Sequence, residues 1–266
     1  LVGVAAGSAF GVTRIGDAVE RSQHLPLRTV AIVGVDGDRA AEVRAYAELS
    51  TDGVELIPWF GVDLEAAATR VEQHPFVREA VARRVPPDAI EIAVTLREPR
   101  AILRQDDRLY LIDDDGVVMK RLRSSDAADL PVISLVSDDA AGDGAVVAGA
   151  VAGGNGGGDT RNEKALANIS DALHVIDSAA DVGLGDRLSE VNEIPGAGFE
   201  VILDDGARAR LGTRDIDGKL RRLVAAEKEL KAKGRSFAFM WLDDARRPER
   251  IAVRLRPETE TSKVGG

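Results

Sequence analysis

The run Asp113-Asp114-Asp115-Gly116 holds the acid groups that first invite a chemical reading, as a calcium loop or, with Asp243 and Asp244, as the paired carboxylates of a hydrolase. A calcium loop of the EF-hand kind needs ligands at alternate positions and a closing bidentate glutamate, and this run has neither. Acidic residues before a glycine, between two apolar segments, are ordinary turn chemistry. The three histidines, His24, His74 and His174, fall at a linker, at a helix end and within a helix. Without clustered partners they build neither a metal site nor a catalytic triad. No cysteine is present, which removes disulfides, thiolate nucleophiles and zinc-thiolate sites together. The glycine-rich stretch 149–158 has no Gly-Lys-Ser/Thr ending and no GxGxxG leading from a strand into a helix, so it is no phosphate cradle. Asn168-Ile169-Ser170 matches a glycosylation sequon but falls inside an expected helix. Arg83-Arg84 invites an anion, yet at a strand end one arginine lies along apolar surface while the other faces solvent, which favours protein docking over a phosphate site. No catalytic residue, metal or cofactor is assigned.

The elements that carry these residues follow from length and pattern. The chain has 266 residues, 44% hydrophobic and 30% charged, which suffices for packed cores and exceeds what one core usually organises. Two small domains are expected. The 35 basic and 45 acidic residues give a net charge of −10, so no global field attracts nucleic acid or anionic lipid. The first twelve residues, LVGVAAGSAFGV, are apolar and small but too few to span a bilayer alone. They read as the end of a transmembrane helix, the end of a signal sequence or a short apolar arm. Residues 13–26 are polar and aperiodic, as a juxtamembrane linker would be.

A domain begins near Leu27. Val30 and Ile32 share one face of a short strand that ends at Gly34, and Asp36-Gly37-Asp38 supplies a turn and a helix cap. Ala40, Val43 and Ala47 mark one face of a helix, and residues 54–59 read as extended. Leu64, Ala67, Ala68 and Val71 recur at helical spacing behind a capping Asp63, and His74-Pro75 ends that helix. A strand starts at Phe76 or Val77, Pro86-Pro87-Asp88 turns the chain, and Ile90, Ile92, Val94 and Leu96 alternate as a half-buried strand does. One strand, two helices and a hairpin can bury both helices on one face of a three-stranded mixed sheet.

Beyond it, 109–112 and 117–119 flank the acidic turn, and 130–133 is a short extended piece. Residues 138–159 are rich in Gly, Ala and Asp and read as a flexible loop, because they bury too little to offset their ordering entropy. Leu166, Ile169, Leu173 and Ile176 line a helix. An Asp-Asp-Gly turn joins strands at 199–203 and 207–211. Ile216, Leu220, Leu223 and Leu230 line a second helix that stops before Gly234. Strands at 237–242 and 250–255 close a meander with two helices packed on it.

Val30-x-Ile32-x-Gly34, Pro75-Phe76-Val77, Ala80, Arg83-Arg84, Pro87, Ile90-x-Ile92-x-Val94 and Arg97-x-Pro99 resemble, in order and spacing, the POTRA pattern of the FtsQ/DivIB family of bacterial division proteins. Further matches are Leu111-Ile112-Asp113 with Gly116, Leu130-Pro131, Gly206, Leu211-Gly212, Lys219-Leu220, Asp244-x-Arg246 and the segment from Arg250 to Arg254. The resemblance covers nearly all of 27–255. It departs at Phe76, where the family often has Trp, at Leu96 and Leu135, and at Arg247, where an aromatic is frequent.

The resemblance implies an α+β chain in four parts. Residues 1–26 would be the end of a transmembrane helix and its linker, and 27–103 a β-α-α-β-β POTRA domain with a mixed three-stranded sheet. Residues 104–256 would form a second α+β domain with a mostly antiparallel sheet and two helices, and 257–266 a disordered tail. It also implies a single-pass inner-membrane protein with its bulk in the periplasm, at the division septum, acting as a non-enzymatic adaptor. The partners implied are FtsB/FtsL-type division proteins and septal synthesis proteins of the FtsW/FtsI type, and no nucleic acid. Strand addition to the last sheet edge would engage Arg246, Arg247, Arg250, Ile251, Val253, Arg254 and Leu255, and Arg83 and Arg84 would form a docking surface on the POTRA domain. Two rivals remain: a POTRA component of outer-membrane assembly or secretion, and a hydrolase built on Asp113, Asp115, Asp243 and Asp244.

Overall fold

The structure is a computed structural model describing residues 25–49, 51, 57–105, 107–123, 125–126, 128–135, 160–244, 246–247 and 249–257, with 160–165 described by their backbone. The expected membrane helix and linker up to residue 24, the loop 138–159 and the tail from 258 lie outside the described residues. No helix among the described residues is long and apolar enough to cross a membrane. The chain divides into two compact units between Glu98 and Pro99.

The first unit runs β1 (Thr29–Val33), α1 (Gly37–Tyr46), α2 (Leu64–Glu72), β2 (Val77–Val85) and β3 (Ala89–Leu96), with its sheet in the order β1-β3-β2. β1 is parallel and β2 antiparallel to the central β3. The mixed three-stranded sheet is therefore as expected. Asp63 starts α2 by accepting the Ala66 N–H at 3.0 Å. The apolar face of α2 buries Ala67 and Val71, that of α1 buries Val43, and Val30, Ile90, Ile92 and Val94 meet them from the sheet. Gly34 (φ +98°) is required where it stands, since a Cβ there would lie 2.2 Å from the Val94 carbonyl oxygen. Trp59 opens a 3-10 turn (Trp59–Gly61) rather than ending an extended segment. Its buried indole donates to the Ala89 carbonyl at 2.7 Å, which satisfies its one polar atom.

The second unit contains β4 (Pro99–Gln105), β5 (Arg108–Asp113), β6 (Val118–Arg121), β7 (Val132–Ser134) and α3 (Thr160–Asp181), followed by β8 (Leu188–Ile194), β9 (Gly198–Leu203) and β10 (Arg208–Gly212). It closes with α4 (Ile216–Ala232), β11 (Phe237–Trp241) and β12 (Ala252–Leu255). These strands form one sheet in the order β12-β11-β10-β9-β8-β7-β4-β5-β6. Residues 99–103, expected at the end of the first domain, belong here instead. Ala101, Ile102 and Leu103 are all buried, and their strand pairs antiparallel with β5 and parallel with β7.

Nor is the sheet a meander. The pairs β4/β7, β7/β8 and β10/β11 are parallel, and parallel neighbours need a crossover. α3 lies in the crossover from β7 to β8, and α4 makes that from β10 to β11. The remaining pairings are antiparallel, so the sheet is mostly so. Ile169, Leu173 and Ile176 of α3 and Leu220 and Leu223 of α4 share one core with Leu103, Ile133, Val191, Val201, Leu211 and Met240 of the sheet. α4 ends at Gly234 (φ +66°) as its position predicts. The Arg235 N–H reaches the Leu230 carbonyl and the Gly234 N–H reaches Lys231, a Schellman close.

Candidate partner-binding surfaces

The candidate surfaces lie at sheet edges, where backbone groups face away from their own sheet. β12 pairs only with β11 among the described residues, in the register Trp241↔Ala252, Met240↔Val253 and Phe239↔Arg254. Ala252, Val253 and Arg254 are exposed. The side of β12 away from β11 therefore presents N–H and C=O groups to which a further strand can add.

Beside that edge lies an aromatic platform that local sequence pattern does not place. The Phe239 and Trp241 rings sit 4.3 Å apart between centroids, and the Arg254 guanidinium lies 5.8 Å from each. In the parallel register Arg208 and Arg210 of β10 stand beside Phe239 and Trp241. Strict alternation would put Phe237 on the same face as both rings. A bulge between Phe237 and Phe239 instead sends Phe237 into the core, with Met240 and Leu242. The spacing Phe-x-Phe-x-Trp was the available signal, and the bulge is what sequence cannot place.

The other expected partner residues divide. Arg246 and Arg247 belong to the connection before β12, where the Asp244 carboxylate accepts both backbone N–H groups at 3.0 and 3.2 Å. The Arg250 N–H donates to the Arg247 carbonyl at 2.9 Å. Ile251 precedes the strand, which starts at Ala252 rather than at 250, and packs against the core. Leu255 pairs with Phe237 and is half-buried. Val253 and Arg254 are thus the expected residues that the edge exposes.

On the first unit, Arg83 is exposed and holds Glu91 across the strands at 2.8 Å. Arg84 does something else. Its guanidinium donates to the carbonyls of Phe60 (2.9 Å) and Val62 (2.6 Å) and lies over the Phe60 ring, so it clasps the Trp59–Gly61 turn to β2.

Among the described residues, Asp113, Asp243 and Asp244 are engaged in turn and ion-pair contacts. Asp113 is fully buried, and its side chain accepts the N–H groups of Asp115 (3.1 Å) and Val117 (2.7 Å), the bonding of a turn. Carboxylate oxygens of Asp113, Asp114 and Asp115 lie within 4.8 Å of one another, as side chains of one tight turn do. Asp243 pairs with Arg210 at 3.6 Å, next to β11. β5 and β11 are six places apart in the sheet, on the order of 29 Å at the usual strand spacing, so the four carboxylates of the hydrolase reading do not meet. Between α3 and α4, in a groove of about 550 Å3, Asp217 accepts the Ser178 hydroxyl at 2.6 Å and stands 3.7 Å from His174 Nε2. The acid sits between serine and histidine, the reverse of a triad, in which the histidine must face the hydroxyl.

His74 is buried, and its Nδ1 accepts the Phe76 N–H at 3.2 Å while Tyr46 meets the ring edge-on. Burial lowers its pKa, against the pull of Glu42 at 4.0 Å. The folded unit favours the neutral ring and the unfolded chain takes up the proton first. Stability of the first unit is therefore present above the ordinary histidine pKa and declines as pH falls below it. Thermal unfolding between pH 7.5 and 5 should show this slope and His74→Gln should flatten it; an equal slope in the variant would contradict the assignment.

Comparison with known proteins adds the decisive observation. The family described as "Cell division protein FtsQ/DivIB, C-terminal" matches residues 101–244, more than half of the chain. The chain belongs to the FtsQ/DivIB family. The "POTRA domain, FtsQ-type" matches residues 25–97, the first unit almost to its end. "Cell division protein FtsQ" of Anaeromyxobacter sp. (strain K) is 33% identical over 196 residues, 73% of this chain and 60% of that protein. Its namesake in Syntrophotalea carbinolica is 32% identical over 185 residues, 65% of this chain and 56% of that protein. The chain thus spans about 60% of the length of these relatives. A solved extracytoplasmic domain of the division protein DivIB from Geobacillus stearothermophilus aligns over 52% of this chain and 97% of its own, at 13% identity and a TM-score of 0.30. The FtsQ/DivIB C-terminal match ends before β12, so the edge strand is read from this chain's own geometry.

Proposed function

We propose that this FtsQ/DivIB chain is a non-enzymatic adaptor of the bacterial division machinery. It is anchored in the inner membrane, and its two units stand in the periplasm at the septum. It gathers an FtsB/FtsL-type pair, and through it FtsW/FtsI-type septal synthesis proteins, by accepting a strand on β12. The observation that carries this reading is the open β12 edge beside the Phe239/Trp241/Arg254 platform. An added strand gains main-chain bonds from β12, and its side chains on the platform face meet aromatic rings flanked by arginines. That surface suits a strand alternating apolar and acidic residues.

The test is a pull-down of the FtsB/FtsL periplasmic pair by the 266-residue chain. Capture is the expected result, and its absence overturns the proposal. Within it, Trp241→Ala should weaken capture by about 2 kcal/mol, roughly 30-fold, as loss of a central aromatic anchor does. Titration calorimetry checks the figure, and an unchanged affinity would remove the platform from the interface.

A further inference from the structure

The first unit has a free edge of its own. β2 lies at one side of the three-stranded sheet, and among the described residues no strand pairs with it away from β3. At its middle stands Val81, 57% exposed, the most exposed large apolar side chain among the described residues. Glu79 and Arg83 flank it two residues away on the same face, opposite Thr95 and Glu91 of β3.

The backbone direction along this edge is fixed by one contact. The Ala80 N–H points away from β3, because the Glu72 carboxylate at the end of α2 accepts it at 3.0 Å. Alternation then turns the N–H and C=O of Ala82 outward as well and those of Val81 inward to β3. An antiparallel strand set by a two-fold axis through Val81 would place Ala80 opposite Ala82, where the two residues exchange both backbone bonds. It would set Val81 against Val81, and Glu79 against Arg83 twice. Those side-chain pairs would occupy the closer, non-hydrogen-bonded positions of the ladder. Glu-x-Val-x-Arg is thus a sequence that complements itself when reversed. Hydrogen-bond direction and charge agree on one register without adjustment.

We propose that β2 is a self-association edge at which two copies of this chain pair antiparallel about Val81. The contact is isologous, so it closes at a dimer and does not propagate. Arg83 already holds Glu91 and retains further N–H donors for Glu79 of the second copy, extending one ion pair into a row across the joined sheets. On the opposite face Ala80 and Ala82 are small, and Arg84 is drawn away onto the Phe60 and Val62 carbonyls. Among the described residues, Glu72 occupies an edge donor that the second copy would take. It is exposed, sits at a helix end and holds a single edge donor, so it tunes the association as a competitor.

The chain contains no cysteine, which makes a positional test clean. Under oxidation by copper-phenanthroline and dioxygen, Val81→Cys should yield a disulfide-linked dimer, since facing positions of this kind lie within disulfide reach. Val33→Cys, on β1 at the other edge of the same sheet and 46% exposed, should not. By sedimentation velocity over a concentration series, Glu79→Arg and Arg83→Glu should each weaken self-association about tenfold, because each sets like charges at both symmetric positions. The double variant should restore it, and Glu72→Ala should strengthen it. A monomer at all concentrations, equal cross-linking at the two cysteine positions, or a double variant no better than its parents would overturn the proposal.

Discussion

Val253→Pro and Arg254→Pro, made one at a time, are expected to abolish capture of an FtsB/FtsL-type pair while leaving different marks on the fold. Along a strand successive N–H groups point to opposite sides, so one of these two amides bonds β11 and the other faces outward. Proline removes the donor in either case. Where it faces β11, the short β12, held by four register pairs, loses part of its ladder, and unfolding shifts as well. Where it faces outward, the second unit should melt as before, and only the incoming strand loses its bond. The informative variant is therefore the one that melts normally. Binding that survives in that variant would show that the partner does not use the edge.

The second large effect lies in the hairpin between β9 and β10. Gly198 has φ +82°, and a Cβ at that position would lie 2.2 Å from both the carbonyl carbon and oxygen of Gly212. Gly198→Ala should cost on the order of 3 kcal/mol or more, since both strain and a backbone clash oppose it and no flexible side chain can yield. Urea unfolding would measure the loss. The effect should reach the binding edge too, because Gly212 ends β10, on which β11 and then β12 are built. A variant as stable as the parent would mean that this close approach is not a fixed feature of the hairpin.

Local pattern made most elements legible. The helix at 64–72 followed from four apolar residues and the capping Asp63. The turn at 204–206 followed from Asp-Asp-Gly, and the end of α4 followed from Gly234. Each is decided within a few residues. In the second sheet, where pairing is non-local, local pattern does not decide which strands neighbour one another. Nothing within 99–105 says that it leaves the first unit, because that choice rests on β5 and on β7 more than twenty residues away. The same holds for the parallel crossovers: a strand, a helix and a strand read alike whether the second strand neighbours the first or not.

The candidate surfaces were partly legible for the same reason. The last strand is the expected docking element, and among the described residues it lies at a sheet edge. Beside it, a one-residue bulge takes Phe237 off the face that strict alternation would have it share with Phe239 and Trp241. Arg83 and Arg84 are neighbours in sequence but belong to different structures, one facing solvent with Glu91 and one holding a turn some 22 to 25 residues away.

Strand addition at β12 makes a demand on the backbone that side-chain docking does not. Hydrogen exchange of the 266-residue chain with and without the FtsB/FtsL periplasmic pair reads that demand directly. The amides of β12 that face away from β11 should become slow-exchanging when the pair is bound, together with the flanking residues of β11. A complex that forms with those amides exchanging as fast as in the free chain would contradict the account.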